Sequence, residues 1–164
     1  MATFDIIPAT EEWKRLACET GALLKDPQPI HQAGKPDLLV YPLPEAGREL
    51  ARNFHSTMVE NVKKLLASRK RASPAPPKKE SVVIDIGLDG ISTRTHQFMM
   101  LAILPNVDAS HNVNLWIGHN KARINDCTNV SLAPGDHVIV YEDTKVMGNL
   151  GSRCIITLID TLPM

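Results

Sequence analysis

Histidine and cysteine side chains have the clearest chemical potential in this sequence. Four histidines and two cysteines fall in its C-terminal half: His96, His111, His119, His137, Cys127 and Cys154. Imidazole and thiolate groups are the usual ligands of zinc. Because no two of these residues have the short paired spacing of a zinc motif, a site would have to be assembled from separate strands. The sequence therefore predicts no metal site, and most of these histidines are interpreted as half-exposed strand and turn residues.

Motifs for other kinds of catalysis are missing. Cys154 lies in an apolar alternation typical of a buried, inert thiol, and nothing local places a base beside Cys127. Glu142 and Asp143 are neighbours on a predicted strand, so their carboxylates point to opposite faces. There is no glycine-rich phosphate loop and no G-x-S-x-G or H-E-x-x-H motif. These observations predict a protein that is not an enzyme and has no cofactor.

The charge pattern provides the strongest functional signal. Residues 63–80 hold seven Lys/Arg and one Glu, between two mildly acidic parts of a chain with net charge zero. The basic residues are Lys63, Lys64, Arg69, Lys70, Arg71, Lys78 and Lys79. Such a cluster contacts nucleic-acid phosphates or anionic lipid, and a solvated linker is the equally weighted alternative. Pro74, Pro76 and Pro77 in the same segment favour an extended linker.

The elements before this linker are predicted to be helical. Thr10 is a suitable N-cap for a first helix, because Glu11 and Glu12 follow it. Pro44 fits the first turn of a second helix over residues 44–68. One face of this helix carries an apolar stripe: Leu50, Phe54, Met58, Val62 and Leu65. The stripe packs on the β region or on the first helix, or forms a self-association surface.

The residues after the linker are predicted to form strands. From residue 81 the apolar period changes to two, and about seven short strands follow with no helix between them. Pro134 and Gly135 have the order expected in a type II turn. The fold class predicted is α+β: a short helical N-terminal region followed by an all-β sandwich, jelly-roll-like or small-barrel domain. The predicted divisions are the helical N-terminal region (residues 1–67), the basic proline-rich linker (68–80) and the all-β domain (81–164).

The function predicted from these features is structural. We expect a non-enzymatic adaptor that forms a homo-oligomer through its β domain and contacts a polyanion, a membrane surface or a protein partner through the linker. Small β-sandwich proteins with a basic arm occur among viral capsid and matrix proteins, an analogy of architecture alone. The alternative is a single-stranded nucleic-acid-binding (RNA-binding) barrel that stacks bases on Trp116 or Tyr141. A small hydrolase or metal enzyme using His119 or His137 ranks last.

The expected location is intracellular. No apolar h-region is found at the N-terminus, and the odd number of cysteines is typical of reduced thiols. Arg69-Lys70-Arg71 is also a possible nuclear localisation signal in a cytoplasmic protein.

Overall fold

A computed structural model describes residues 3–24, 30–31, 39–68, 71–74, 81–105, 112–149 and 152–163. Within these ranges there are two α-helices, Glu11–Leu23 (α1) and Glu45–Ser68 (α2). The strands of the N-terminal half are Phe4–Ile7 (β1), Ile30–His31 (β2), Leu39–Tyr41 (β3), Arg71–Pro74 (β4) and Val82–Ile86 (β5). Those that follow are Ile91–Ser92 (β6), Gln97–Ile103 (β7), Val113–His119 (β8), Thr128–Leu132 (β9), His137–Val140 (β10), Thr144–Gly148 (β11) and Ser152–Pro163 (β12).

Two antiparallel sheets organise the described residues. The larger has eight strands in the order β1-β10-β7-β12-β5-β3-β2, with β4 paired to β12. The smaller has four strands in the order β6-β11-β8-β9. Strands that are neighbours in the chain therefore alternate between the sheets from β5 to β8. The architecture is mixed α+β, with two helices and mostly antiparallel sheets in the described ranges, as predicted at this coarse level.

Two hydrophobic clusters lie on opposite faces of the large sheet. Between the sheets, aliphatic side chains from both meet, including Ile84, Leu101, Leu115 and Val146, all of which are buried. On the other face, the helices cover a second cluster that contains Trp13 and the apolar side of α2. This separation follows from the period of two along each strand, which sends successive side chains to opposite faces.

The stripe predicted on the second helix is covered within the chain. Leu50, Phe54 and Val62 are buried in the cluster beneath the helices, and Met58 and Leu65 pack against it. The large sheet and α1 therefore occupy most of the surface that was expected to be available for self-association. The structure supports the alternative interpretation, in which the stripe packs within the chain, and it does so on both the β region and the first helix.

The first helix begins at the predicted cap. Thr10 has an extended backbone, and its hydroxyl accepts a hydrogen bond from the Trp13 backbone N–H at 3.1 Å. We expect Thr10→Ala to lower the free energy of unfolding by about 1 kcal/mol, because that N–H loses its acceptor. Urea denaturation measures this change. Thr10→Ser, which keeps the hydroxyl, is the matched control, and an equal loss in both variants would contradict the capping role.

The turn before β10 positions this strand against α1. Gly135 has φ +91°, and a Cβ there would lie 2.8 Å from the Lys14 backbone nitrogen. Glycine is required by both the dihedral angle and the close approach. The turn therefore places His137, two residues later, beneath the helical layer.

Strands of the N-terminal part join the sheet built by the C-terminal part. β1 pairs with β10, and β3 pairs with β5. The predicted divisions at residues 67 and 80 remain predictions, and residues 75–80 lie outside the described residues. In the described ranges no helix is both long enough and apolar enough to cross a membrane.

Candidate functional site

A pocket of about 600 Å³ lies between α2 and the large sheet. Its volume falls within the range of small-molecule sites. Most of its wall is apolar: Val59 and Val62 come from the helix, and Met100, Ala102 and Ile155 come from β7 and β12. The hydroxyls of Ser81 and Thr157 also line it but are hydrogen-bonded to each other at 2.6 Å. The pocket therefore suits a largely apolar molecule.

His137 is the buried polar side chain of this wall. It is 2% exposed, and its ring stacks on Phe54 with a centroid distance of 4.0 Å and an interplanar angle of 5°. Trp13 meets the same ring at 4.8 Å in an edge arrangement. These contacts fix the plane of the imidazole.

The tautomer of His137 follows from its one hydrogen bond. Nδ1 lies 2.9 Å from the Gly135 carbonyl oxygen, which can only accept, so Nδ1 carries the proton. Nε2 is then an acceptor, and it has no hydrogen-bond partner among the described residues. Burial lowers the pKa of His137 to about 4, and the imidazole is neutral at physiological pH. The wall thus contains an unused buried acceptor, which is an unusual feature in a folded core.

The helix side of the pocket is basic. Arg52, His55 and Lys63 line it, and no carboxylate among the described residues does. Arg52 pairs with Glu45 at 2.8 Å, and Lys63 lies 3.5 Å from Glu60. Both are exposed ion pairs, which are weak and exchange easily. Arg52 and Lys63 can therefore exchange these glutamates for an anionic group that enters the rim.

A second polar cluster lies on the same face of the large sheet. Asp85 and Arg153 are cross-strand partners in β5 and β12, and Arg153 Nε donates to Asp85 Oδ1 at 2.9 Å. The Tyr41 hydroxyl donates to Asp85 Oδ2 at 2.9 Å. Burial, with this hydrogen bond, raises the pKa of Tyr41. The polar groups of Asp85, Arg153 and Tyr41 thus bind one another. We therefore assign this cluster a role in stabilising the sheet.

The basic residues predicted to contact a polyanion are only partly described. Lys63 and Lys64 are exposed on α2, and Arg71 begins β4. Arg69, Lys70, Lys78 and Lys79 lie outside the described residues. Contact with a polyanion, a membrane or a protein partner remains a prediction, as do the homo-oligomer and the intracellular location.

The two aromatic residues predicted to stack on bases differ in exposure. Trp116 is half-buried on β8 and remains a candidate surface ring. Tyr141 is 4% exposed, and its hydroxyl donates to Asp5. A stacking platform needs an exposed ring face, so the prediction for Tyr141 is wrong.

The histidines and cysteines do not assemble into a metal site in the described ranges. There, no group of three His, Cys, Asp or Glu side chains is arranged to hold an ion, and His111 lies outside these ranges. His96 and His119 are exposed, and burial raises the pKa of the Cys154 thiol, as suits an inert core residue. His137 was expected to be half-exposed. It is instead the first residue of the strand His137–Val140, all four residues of which are buried, and no local pattern in the sequence indicates this.

Comparison with known proteins gives matches in structure only. No family model matches the chain, and no curated protein matches its sequence. A prolyl hydroxylase from Trichoplax adhaerens, in complex with a hypoxia inducible factor peptide, matches with a TM-score of 0.56 and 12% identity over 98% of this chain and 83% of that one. The non-heme alpha-ketoglutarate-dependent epimerase SnoN of nogalamycin biosynthesis matches with a TM-score of 0.59 and 12% identity over 98% and 78%. HygX from Streptomyces hygroscopicus, with nickel and 2-oxoglutarate bound, matches with a TM-score of 0.51 and 14% identity over 99% and 83%. The chain shares their fold.

These matches overturn the function predicted from the sequence. The prolyl hydroxylase and the epimerase are enzymes, and they match almost the whole chain. The expectations of a non-enzymatic structural adaptor, a viral coat-like protein and a nucleic-acid-binding barrel are therefore wrong, while the β sandwich is compatible with the fold. The error arose because catalytic motifs were sought along the sequence, whereas a site assembled from separate strands leaves no local motif.

Proposed function

We propose that this chain is an enzyme on an oxygenase-type jelly roll and that it acts on a small, largely apolar organic molecule in the pocket beneath α2. The enzymatic part is supported by the fold shared with the hydroxylase and the epimerase. The single observation that carries the site is His137, a buried neutral imidazole in the pocket wall whose Nε2 has no partner among the described residues. Its proposed role is to accept a hydrogen bond from the substrate rather than to take its proton, because an imidazole with a pKa of about 4 is a weak base at neutral pH. Nε2 is buried in this structure, so a substrate donor reaches it only after the surrounding side chains move.

Iron does not enter this proposal, because the described residues do not fit an iron centre. Non-haem iron oxygenases hold the metal with two histidines and one carboxylate. No such group of three converges in the part of the chain that the structure describes. The space between the two sheets is also filled by buried aliphatic side chains, such as Met99, Ile117 and Val138. The pocket on the opposite face of the large sheet is therefore the better candidate for the reaction.

The test compares wild-type protein with His137→Asn. The asparagine amide can still donate to the Gly135 carbonyl, but the imidazole acceptor is lost. Both proteins are incubated with a small-molecule cell extract, and mass spectrometry follows which compounds are consumed. We expect at least one compound to be converted by the wild type at a rate about five- to tenfold above that of His137→Asn, the value of one net hydrogen bond to the substrate.

His119→Asn is the control for this experiment, because His119 is exposed on β8 and is not in the pocket wall. It should convert the same compound at the wild-type rate. Conversion that is equal in all three proteins would contradict the role of His137. Consumption of 2-oxoglutarate that depends on added iron would show instead that residues outside the described ranges complete an iron site.

A further inference from the structure

The edge strands of the two sheets differ in how well they are protected against pairing with another chain. An open edge presents free backbone N–H and C=O groups, and proteins usually protect it with charges, prolines, bulges or a very short strand. At the edges of the large sheet, β1 contains Asp5 and is followed by Pro8. The sequence of β4 includes Arg71 and Pro74. In the described ranges β2 and β6 have only two residues each. All of these edges therefore carry a recognisable form of protection.

The edge strand β9 has none of these forms of protection. Its five residues, Thr128–Leu132, include no charged residue, proline or glycine, and its register with β8 is continuous. It lies at the end of the strand order β6-β11-β8-β9. Among the described residues, no segment other than β8 forms backbone hydrogen bonds with it. The outer side of β9 is thus an open template for a further strand.

The side chains of β9 are complementary to those of an identical strand. In an antiparallel pair centred on Val130, each Val130 faces its own copy, and each Asn129 faces Ser131. Asn129 and Ser131 are exposed, and the Ser131 hydroxyl already accepts from Asn112 Nδ2 at 3.3 Å. That hydroxyl can still donate to the amide oxygen of an opposing Asn129. Val130 packs against the cluster between the sheets but is only partly buried, so a second valine opposite it increases its burial.

We propose that β9 pairs antiparallel with β9 of a second copy of this chain, with Val130 at the two-fold axis. The two four-stranded sheets then form one continuous sheet. The occupant is a second copy because a two-fold interface needs a surface that is complementary to itself, which β9 provides. The contact is narrow, since five paired residues give about four to six backbone hydrogen bonds. We therefore expect a reversible dimer with a dissociation constant of about 1 to 100 μM.

This interface is separate from the pocket of the proposed enzyme. β9 belongs to the small sheet, whereas the pocket lies between α2 and the opposite face of the large sheet. The inference therefore goes beyond the proposed function and does not rest on it. A dimer that converts no compound would remove the enzymatic role alone, and a monomer with conversion that depends on His137 would remove the dimer alone.

Sedimentation velocity of the full chain, from about 1 to 200 μM, tests for the dimer. We expect the weight-average mass to rise with concentration from 18.1 kDa toward twice that value. A mass of 18.1 kDa at every concentration would overturn the proposal.

A pair of lysine variants locates the interface. In Asn129→Lys/Ser131→Lys, each lysine faces a lysine of the second copy, so the dissociation constant should rise at least about tenfold. The matched control is Asn114→Lys/His119→Lys, which adds the same charge at exposed positions of β8. The two β8 strands of the dimer are three strand spacings apart, about 14 Å, which exceeds the Debye length of about 8 Å at physiological salt. The control should therefore dimerise like the wild type. Equal weakening in both variants, or no weakening in either, would overturn the pairing through β9.

A charge exchange tests the antiparallel register. Asn129→Glu/Ser131→Glu should be monomeric by itself for the same reason as the lysine variant, and circular dichroism checks that both proteins are folded. An equimolar mixture of the two variants should recover the mass of a dimer, because each lysine then faces a glutamate. A mixture that stays at 18.1 kDa, with both variants folded, would contradict the proposed pairing.

Discussion

Replacing Asp85 with alanine is expected to lower the free energy of unfolding by about 3 kcal/mol. Asp85 and Arg153 form an ion pair whose side chains are only 12% and 16% exposed. Removing the carboxylate leaves the guanidinium nearly buried without its counter-charge, and it also leaves the Tyr41 hydroxyl without its acceptor. Both effects act in the same direction, because each group keeps its desolvation cost and loses its partner. Urea denaturation at neutral pH measures the change.

Two further variants separate the charge from the hydrogen bonds. Asp85→Asn keeps a carbonyl oxygen for Tyr41 and loses the charge, so its destabilisation should be smaller than that of alanine. The double variant Asp85→Ala/Arg153→Met should be more stable than Asp85→Ala alone, because it removes the uncompensated cation. A single variant that is no less stable than the double one would show that the pair does not act as a buried unit.

The sequence predicted the elements whose pattern is local. The period of two after residue 81, the turn at Pro134 and Gly135, and the helix over residues 44–68 each depend on neighbouring residues alone. The long helix is found at Glu45–Ser68, and its stripe faces inward. The α+β class could therefore be recognised without any structural information.

The pocket could not be predicted in the same way. It depends on which strand of the sheet lies under which turn of α2, and that arrangement is set by pairings such as β10 with β7 and β12 with β7. His137 looks half-exposed in the sequence because a histidine at a strand start normally is. In the fold, β1 pairs along the open edge of β10 and Trp13 covers the ring, so the residue becomes buried. Long-range pairing, which leaves no periodic signal, decides both features.

Function was misjudged for a related reason. The basic residues near Lys63 were interpreted as one cluster that contacts a polyanion or stays solvated, since charge runs are visible in a sequence and helix packing is not. In the structure Lys63 lines the pocket while Lys64, one residue later, does not. A rotation of 100° per residue on the helix separates a position that lines the pocket from one that does not. The enzymes that share this fold are only 12% identical to the chain, and a sequence identity this low leaves no residue pattern by which the resemblance could be recognised.

Acidification is expected to remove about 3 kcal/mol of stability through His137 alone as the pH falls from 6.5 to about 4. Burial lowers the pKa of this imidazole from 6.5 to about 4 in the folded protein. Between these values the unfolded chain binds a proton that the folded protein does not, so the free energy of unfolding rises with pH. The contribution is complete above pH 6.5 and is lost as the pH falls through the window.

The measurement is the pH dependence of urea denaturation for wild type and His137→Phe. Phenylalanine retains an aromatic ring for Phe54 to stack on and cannot take up a proton. The difference between the two curves therefore isolates the titration of His137 from that of carboxylates in the same pH range. The difference should change by about 3 kcal/mol across the window and be flat above it. A difference that is flat throughout would mean that water reaches the imidazole in the folded protein. The buried acceptor would then be solvated, and the argument that singles out His137 in the pocket wall would be lost with it.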